Sequence, residues 1–130
     1  MDAYRSQCPV ASALDLLGDK WSLVVVRDAT VGKRRFGDFL KSPEGIPTNI
    51  LADRLKRLEQ AGILCKRAYQ ARPRRYEYLL TRKGAELLPV LQHLARWAHK
   101  HIADRWTAPA WFLEGTPETL LARLGGAAGE

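Results

Sequence analysis

The chain has 130 residues, of which 46% are hydrophobic and 27% are charged, so it fits one globular domain and is too short for two full cores. No apolar run approaches the roughly 18 residues that a membrane-spanning helix needs, which excludes a transmembrane function. The two cysteines, Cys8 and Cys65, are too few to frame a disulfide-stapled fold. Because the N-terminus also lacks an apolar signal segment, we expect a reduced, cytoplasmic protein.

The net charge of +7 is concentrated in the middle of the chain. Between Arg27 and Lys83 there are 15 basic and 6 acidic residues, an excess of +9, whereas the rest of the chain sums to −2. One segment that contacts phosphates would produce this distribution. A solvated basic face without a nucleic-acid partner would produce it too, so charge alone leaves both interpretations open.

Two helices are predicted at the start of the chain. Pro9 suits a first helical turn, and apolar residues recur at helical spacing from there to Gly18. These residues are Val10, Ala13, Leu14 and Leu17. Asp19 can cap a second helix over residues 20–29, although the valines of that segment would suit a strand by propensity alone. We interpret it as a helix.

The next two helices differ in length. Phe36, Phe39 and Leu40 predict a short one, which turn-forming residues 42–45 end. Residues 47–60 show the clearest helical pattern, with a stripe of Leu51, Leu55 and Leu58 on one side. The opposite face is polar and free to contact a partner. It carries Asn49, Ala52, Asp53, Lys56 and Arg57.

A β-hairpin is predicted next. Residues 63–69 and 75–80 are rich in aromatic and branched side chains, and residues 70–74 connect them. Pro73 lies in this connection, where its missing N–H removes no hydrogen bond between strands. Because arginines flank Pro73 on both sides, the tip of the hairpin is strongly cationic.

A long helical stripe follows the hairpin. Thr81 can cap it, and it extends to about Arg105. Its apolar residues are Leu87, Leu88, Leu91, Leu94, Ala95, Ala98 and Ile102. Pro89 interrupts the stripe and predicts either a kink or a fresh helix start, since an interior proline costs roughly 3 kcal/mol. A capped short helix is predicted from Thr116 to Leu124, and a frayed end after it.

This order of elements predicts a mainly α-helical winged helix-turn-helix with a small β-hairpin. A helix fits the major groove of B-form DNA, which is about 12 Å wide, and the helix over residues 47–60 is the candidate reader. The hairpin would lie beside the minor groove, whose negative potential attracts arginine. Asp53 would repel phosphates on the reading face, so we expect it to pair with Arg57 one turn later.

Two groups of residues are predicted to bind double-stranded DNA. The recognition helix contributes Thr48, Asn49, Ala52, Lys56 and Arg57. Phosphate contacts in and near the wing come from Arg34, Arg35, Arg72, Arg74 and Arg75. The alternative is a winged-helix module that binds nucleic acid without sequence preference or docks an acidic protein, and the simplest reading of the helix is an ordinary surface helix.

Several strings carry a family resemblance. In chain order they are CPV (8–10), GDKW (18–21), RRF (34–36), IPTNIL (46–51), RLKRLE (54–59), YEY (76–78) and LTRKG (80–84). Their shared order resembles the HxlR-type winged helix-turn-helix transcriptional regulators over about residues 8–100. The resemblance implies a bacterial or archaeal homodimer joined by terminal helices, and it implies that residues 20–29 are helical. We assign residues 1–107 to a DNA-binding and dimerisation domain and 108–130 to an extension with a short helix and a frayed end.

A dimer also follows from the size of the domain. A single module buries only about 600–1,000 Å² on DNA, which is little for specific binding. If the first helix and the long stripe pair across a two-fold axis, two recognition helices can enter major grooves about 34 Å apart on a near-palindromic operator. The predicted interface comprises Leu14, Leu91, Leu94, Ala98 and Ile102. The alternative is that the stripe packs only on its own domain.

Cys8 is a candidate redox sensor. It precedes Pro9, which would place its sulfur at a helix N-terminus, a position that favours a thiolate. The resemblance implies that a cysteine here can respond to oxidants or electrophiles, and an inert interface residue is the alternative of equal weight. Cys65 is expected to be buried in the core.

No cofactor, metal or catalytic site is predicted. His93, His99 and His101 do not share one helix face as zinc ligands would. Aromatic residues near the C-terminus, Trp97, Trp106, Trp111 and Phe112, could line a pocket for a small-molecule effector, although core packing is the preferred interpretation. Because no phosphate loop, activated nucleophile or paired carboxylates are recognisable, we expect no enzyme activity.

Overall fold

A computed structural model describes residues 3–125. In chain order its elements are α1 (Pro9–Leu17), α2 (Ser22–Thr30), α3 (Phe36–Leu40), α4 (Thr48–Gln60), β1 (Leu64–Ala71), β2 (Arg74–Leu80), α5 (Arg82–Ala85), α6 (Leu88–His101), α7 (Ala110–Glu114) and α8 (Pro117–Arg123). The two strands form an antiparallel hairpin, which confirms the predicted mainly helical winged fold. Within the described residues, no helix combines the length and apolar character needed to cross a bilayer.

The valine-rich segment is helical, as predicted, but α2 begins at Ser22. The Asp19 carboxylate accepts hydrogen bonds from the backbone N–H groups of Trp21 and Ser22, each at 3.0 Å. These bonds satisfy the first amides of the helix, which have no partner within it. Val25 and Val26 are almost fully buried, so burial in the core outweighs their preference for strands.

The core is centred on α4. Leu51, Leu55 and Leu58 are at most 2% exposed and belong to one cluster with Val25 and Phe39. Burying three leucine side chains contributes roughly 1.5–3 kcal/mol each, which fixes the face of α4 that turns inward. The polar face of the same helix is therefore directed outward.

The hairpin is tighter than predicted. β1 extends to Ala71 and β2 begins at Arg74, so only Arg72 and Pro73 form the turn. The predicted connection over residues 70–74 is therefore wrong, because Gln70 and Ala71 pair with the strand opposite. A bulge between Ala68 and Gln70 absorbs the extra residue that this register requires.

Pro89 lies at the start of a new helix, which is one of the two predicted alternatives, and not at a kink. Thr81 caps α5 by accepting a 3.0 Å hydrogen bond from the Gly84 N–H. The chain then turns, and α6 places Pro89 in its first turn, where a missing N–H removes no helical bond. α6 ends at His101, four residues before the predicted limit of Arg105.

Residues after 107 pack against the domain. The Gln92 side-chain amide donates to the carbonyl oxygens of Phe112 and Gly115, both at 2.8 Å. Phe112 and Leu120 are buried in the core cluster. The predicted short helix is α8, capped by Thr116. Residues 126–130 of the predicted frayed end lie outside the described residues.

Two expectations about burial are wrong. Trp97 and Trp106 are 62% and 83% exposed and do not pack in the core, whereas Trp111 is half-buried. Trp97 lies on the outer side of α6, and Trp106 follows the end of that helix. Cys65 is only half-buried, because it neighbours the buried Leu64 and successive strand residues point to opposite sides.

Candidate nucleic-acid interface

The outer face of α4 is open to solvent. All five residues predicted for DNA contact on this helix are exposed: Thr48, Asn49, Ala52, Lys56 and Arg57. The inner leucines hold the helix against the core, so these side chains project from a rigid element. Such a helix presents an amide, a hydroxyl and two cations, which are donors and acceptors suited to base edges and phosphates.

The charge of Asp53 is neutralised chiefly by Arg54, a pairing that the sequence did not predict. Its carboxylate accepts a hydrogen bond from Arg54 Nη1, and the predicted partner Arg57 lies at 3.9 Å. The expected i,i+4 pair is therefore present as the longer of two contacts. Both contacts reduce the repulsion that a free carboxylate on this face would exert on phosphates.

Arg54 also anchors α4 to the start of α2. Its Nε donates to Asp19 Oδ2 at 2.8 Å, and both side chains are largely shielded from solvent. Partial burial alone would raise the pKa of Asp19. Hydrogen bonds from the Ser22 hydroxyl, from Arg54 and from two backbone amides outweigh burial and hold that pKa well below its usual range.

A second ionic network fixes the segment that leads into α4. Arg27 donates to both carboxylate oxygens of Glu44, at 2.7 and 2.8 Å, and these bonds lower the pKa of Glu44. The same guanidinium contacts the buried Asp28, which also accepts a hydrogen bond from Ser42. Because Ser42 and Glu44 lie between α3 and α4, this network restrains the turn of the helix-turn-helix.

The tip of the hairpin carries uncompensated positive charge. Arg72, Arg74 and Arg75 are exposed, and no ion pair between described residues involves them. Arg35 is also exposed, and its guanidinium stacks 3.8 Å from the centre of the Tyr69 ring. This stacking fixes a cation beside the bulge in β1.

Arg34 requires a correction. Its guanidinium donates to the Leu124 carbonyl oxygen and lies 4.0 Å from the Glu77 carboxylate. Its backbone carbonyl accepts from the Tyr78 N–H at 2.7 Å. Arg34 thus joins the hairpin to the end of α8, and it is not a free phosphate ligand like the arginines of the tip.

The predicted dimer residues divide into two groups. Leu14, Leu94 and Ile102 are 53%, 50% and 46% exposed, and Ala98 is half-buried. Leu91 is only 7% exposed and belongs to the chain's own core, so it offers little surface to a second subunit. The correction follows from the rotation of α6, which turns Leu91 inward and Leu94 outward.

Three exposed apolar residues on these helices were not among the predicted interface residues. Val10 is 67% exposed on α1, and Val90 and Trp97 are 42% and 62% exposed on α6. Val90, Leu94 and Trp97 recur at i, i+4 and i+7, a spacing that could have separated this outward stripe from the inward one. We call Val90, Leu94 and Trp97 the exposed apolar face of α6.

Cys8 lies at the N-cap of α1 and is exposed. Its backbone carbonyl accepts the first helical bond, from the Ser12 N–H at 2.9 Å, and Pro9 follows as the first helical residue. The thiol is therefore accessible, and it lies on the helix that carries Val10 and Leu14.

Comparisons with known proteins agree with this architecture. The model of the HxlR-like helix-turn-helix family matches residues 16–106. An uncharacterized HTH-type transcriptional regulator of Synechocystis sp. is 43% identical over 84 residues, which cover 65% of this chain and 62% of that protein. The chain thus spans less than two thirds of that relative.

Several solved structures are similar in fold, and two of them are regulators whose reduced forms are known. The reduced form of the transcriptional regulator YodB from B. subtilis has a TM-score of 0.63 and 31% identity, over 78% of this chain and 100% of YodB. The redox regulator HypR in its reduced form has a TM-score of 0.68 and 30% identity, over 74% of this chain and 95% of HypR. The family and these relatives are transcriptional regulators rather than enzymes.

Proposed function

The chain belongs to the HxlR-like helix-turn-helix family of transcriptional regulators, and from this premise we propose that it is a homodimeric repressor of a near-palindromic operator. α4 reads base edges in the major groove, and the tip of the hairpin holds the flanking phosphates. The observation that carries the proposal is the open polar face of α4, followed directly by a hairpin whose tip arginines have no acidic partner among the described residues.

Sequencing of DNA fragments that the purified protein retains would test this proposal. A repressor of this kind enriches one motif whose half-sites are related by two-fold symmetry and centred about 34 Å apart. Its affinity for that motif exceeds its affinity for random duplex by at least about a thousandfold. Binding with a steep salt dependence but without an enriched motif would instead support the non-specific alternative.

The two groups of DNA contacts predict different mutant phenotypes. Arg74→Ala should weaken binding to operator and random duplex about equally and reduce the salt slope by about 0.9, because a phosphate contact carries no base information. Asn49→Ala should weaken operator binding by about 1–3 kcal/mol and change random binding little, because a base contact is lost. Fluorescence anisotropy at several salt concentrations measures both.

Arg105→Ala is the matched control, since Arg105 is exposed and lies outside the basic segment. It should leave both affinities unchanged. The assigned roles would be wrong if Asn49→Ala and Arg74→Ala reduced operator and random binding to the same extent.

We further propose that oxidation of Cys8 releases the operator. The thiol is exposed, and it lies at the start of the helix that carries the exposed apolar residues Val10 and Leu14. Two of the similar structures, HypR and YodB, are described in reduced forms, HypR as a redox regulator. A disulfide between Cys8 and the partner's Cys8 would add a covalent restraint between the two α1 helices and so change the spacing of the two recognition helices.

Treatment with diamide should therefore lower operator affinity at least about tenfold, a change of about 1.4 kcal/mol. Diamide removes two electrons and two protons from two thiols, which then form one disulfide. Cys8→Ser should bind normally before and after treatment, whereas the matched variant Cys65→Ser should respond like the wild type. Unchanged affinity of the oxidised wild type would show that Cys8 is an inert residue.

A further inference from the structure

A cavity of about 220 Å³ lies between the C-terminal half of α6 and the chain that leads into α7. Its apolar wall includes Ala95, Ala108 and Leu113, which are half-buried and pack against the core cluster. The cavity therefore has a fixed floor that belongs to the folded domain. Two of these three residues lie beyond residue 106, where the family match ends.

The rim of the cavity is basic. Arg96, His99 and Lys100 line it, and no acidic residue is among the described residues that line it. None of these three side chains takes part in an ion pair within the described chain. Arg96 donates one hydrogen bond to the Leu113 carbonyl oxygen, another residue of the lining, and its guanidinium has further N–H donors.

The partial negative charge at the C-terminus of α6 offsets only part of the positive charge that lines the cavity. A helix C-terminus carries about half a negative charge, whereas Arg96 and Lys100 each carry a full positive one. The net field at the rim therefore favours an anion. Trp106, which is 83% exposed, also lines the cavity and adds an aromatic side chain to it.

The cavity is large enough for a ligand with one ring. An engineered apolar cavity of about 150 Å³ accommodates benzene, so the space here admits a benzene ring and one small substituent. We propose that this cavity binds a small aromatic carboxylate, with the ring against Ala95, Ala108 and Leu113 and the carboxylate at Arg96 and Lys100. This binding site goes beyond the proposed DNA binding and does not depend on it.

The cavity lies close to the surface of α6 that we propose for dimerisation. Ala95 and His99 line the cavity, and Leu94 of the exposed apolar face directly precedes Ala95 in α6. A bound carboxylate would therefore lie beside the surface that we propose for dimerisation.

Titration of the protein with benzoate and with the neutral isostere benzamide, followed by ligand-observed NMR, tests the proposal. Benzoate should bind saturably with a Kd of about 1 mM or below, and benzamide at least about tenfold more weakly. Lys100→Met should weaken benzoate binding about threefold to tenfold and leave benzamide binding unchanged. The matched control Lys41→Met, at an exposed lysine elsewhere, should behave like the wild type.

A second variant fills the space. Ala108→Phe should abolish binding of both ligands while the circular dichroism spectrum remains native. The proposal is overturned if benzoate shows no saturable binding up to about 10 mM, a concentration about tenfold above the expected Kd. It is equally overturned if benzoate and benzamide bind alike, or if Lys100→Met and Lys41→Met have the same benzoate affinity.

Discussion

Replacement of Leu94 by Glu is expected to convert the proposed dimer into a monomer and to lower operator affinity at least about 100-fold. Leu94 is half exposed at the centre of the α6 stripe formed with Val90 and Trp97. Soluble monomers rarely expose contiguous apolar patches of this kind, so a partner surface is expected to cover it. Burying one unpaired carboxylate per subunit in that contact would cost several kcal/mol.

The loss of DNA affinity follows from avidity. In a dimer, binding of the first half-site places the second reading helix at an effective concentration in the millimolar range. A monomer binds each half-site independently and loses this advantage. Light scattering should show 14.6 kDa for Leu94→Glu and twice that mass for the wild type, and anisotropy measures operator affinity.

Val31→Glu is the matched control, because it introduces the same charge at an apolar residue of comparable exposure, 52%, that lies on neither α1 nor α6. Val31 follows the last residue of α2 and is not among the predicted interface residues. This variant should remain dimeric and bind the operator. A dimeric Leu94→Glu protein, or a wild type that is monomeric at micromolar concentration, would refute the proposed interface.

The elements near the candidate site were predictable wherever local periodicity determines them. The spacing of Leu51, Leu55 and Leu58 identifies both α4 and its inner face, and therefore also its outer face. The cationic hairpin tip is equally local, since aromatic and branched runs flank a proline between arginines. For Pro89 the sequence allowed either a kinked helix or a fresh helix start, because both accommodate a residue without an N–H. Only the packing of the turn after α5 distinguishes the two.

The contacts that position these elements join residues distant in sequence. Arg54 reaches Asp19 across 35 positions, and Arg34 reaches the Leu124 carbonyl across 90. No periodicity records such pairs, so Arg34 was grouped with the free arginines of the wing. Leu91 was placed in the dimer interface for a similar reason. The apolar stripe of α6 is wide enough to contact both the chain's own core and a second subunit, and its spacing alone does not show which residues face the core.

The contact between Asp19 and Arg54 leads to the second prediction. Asp19→Ala should lower the free energy of unfolding by about 3 kcal/mol, because it removes the carboxylate that accepts from the Trp21 and Ser22 amides and leaves a largely shielded guanidinium without its partner. Urea unfolding followed by circular dichroism measures this change. Asp15→Ala is the control, since Asp15 pairs with the solvent-exposed Arg5 and should contribute little.

The pH dependence of Asp19→Asn separates the charge from the cap. Asparagine can still accept the hydrogen bonds from the Trp21 and Ser22 amides, but it cannot neutralise Arg54. Since the pKa of Asp19 is lowered in the folded state, its charge stabilises the protein above the unfolded pKa of about 3.9, and this stabilisation is lost as the pH falls below that value. The difference in stability between wild type and Asp19→Asn should thus be about 2 kcal/mol at neutral pH and shrink toward pH 2. A difference that stayed constant between pH 7 and pH 2 would mean that the Asp19 charge does not hold the recognition helix in place.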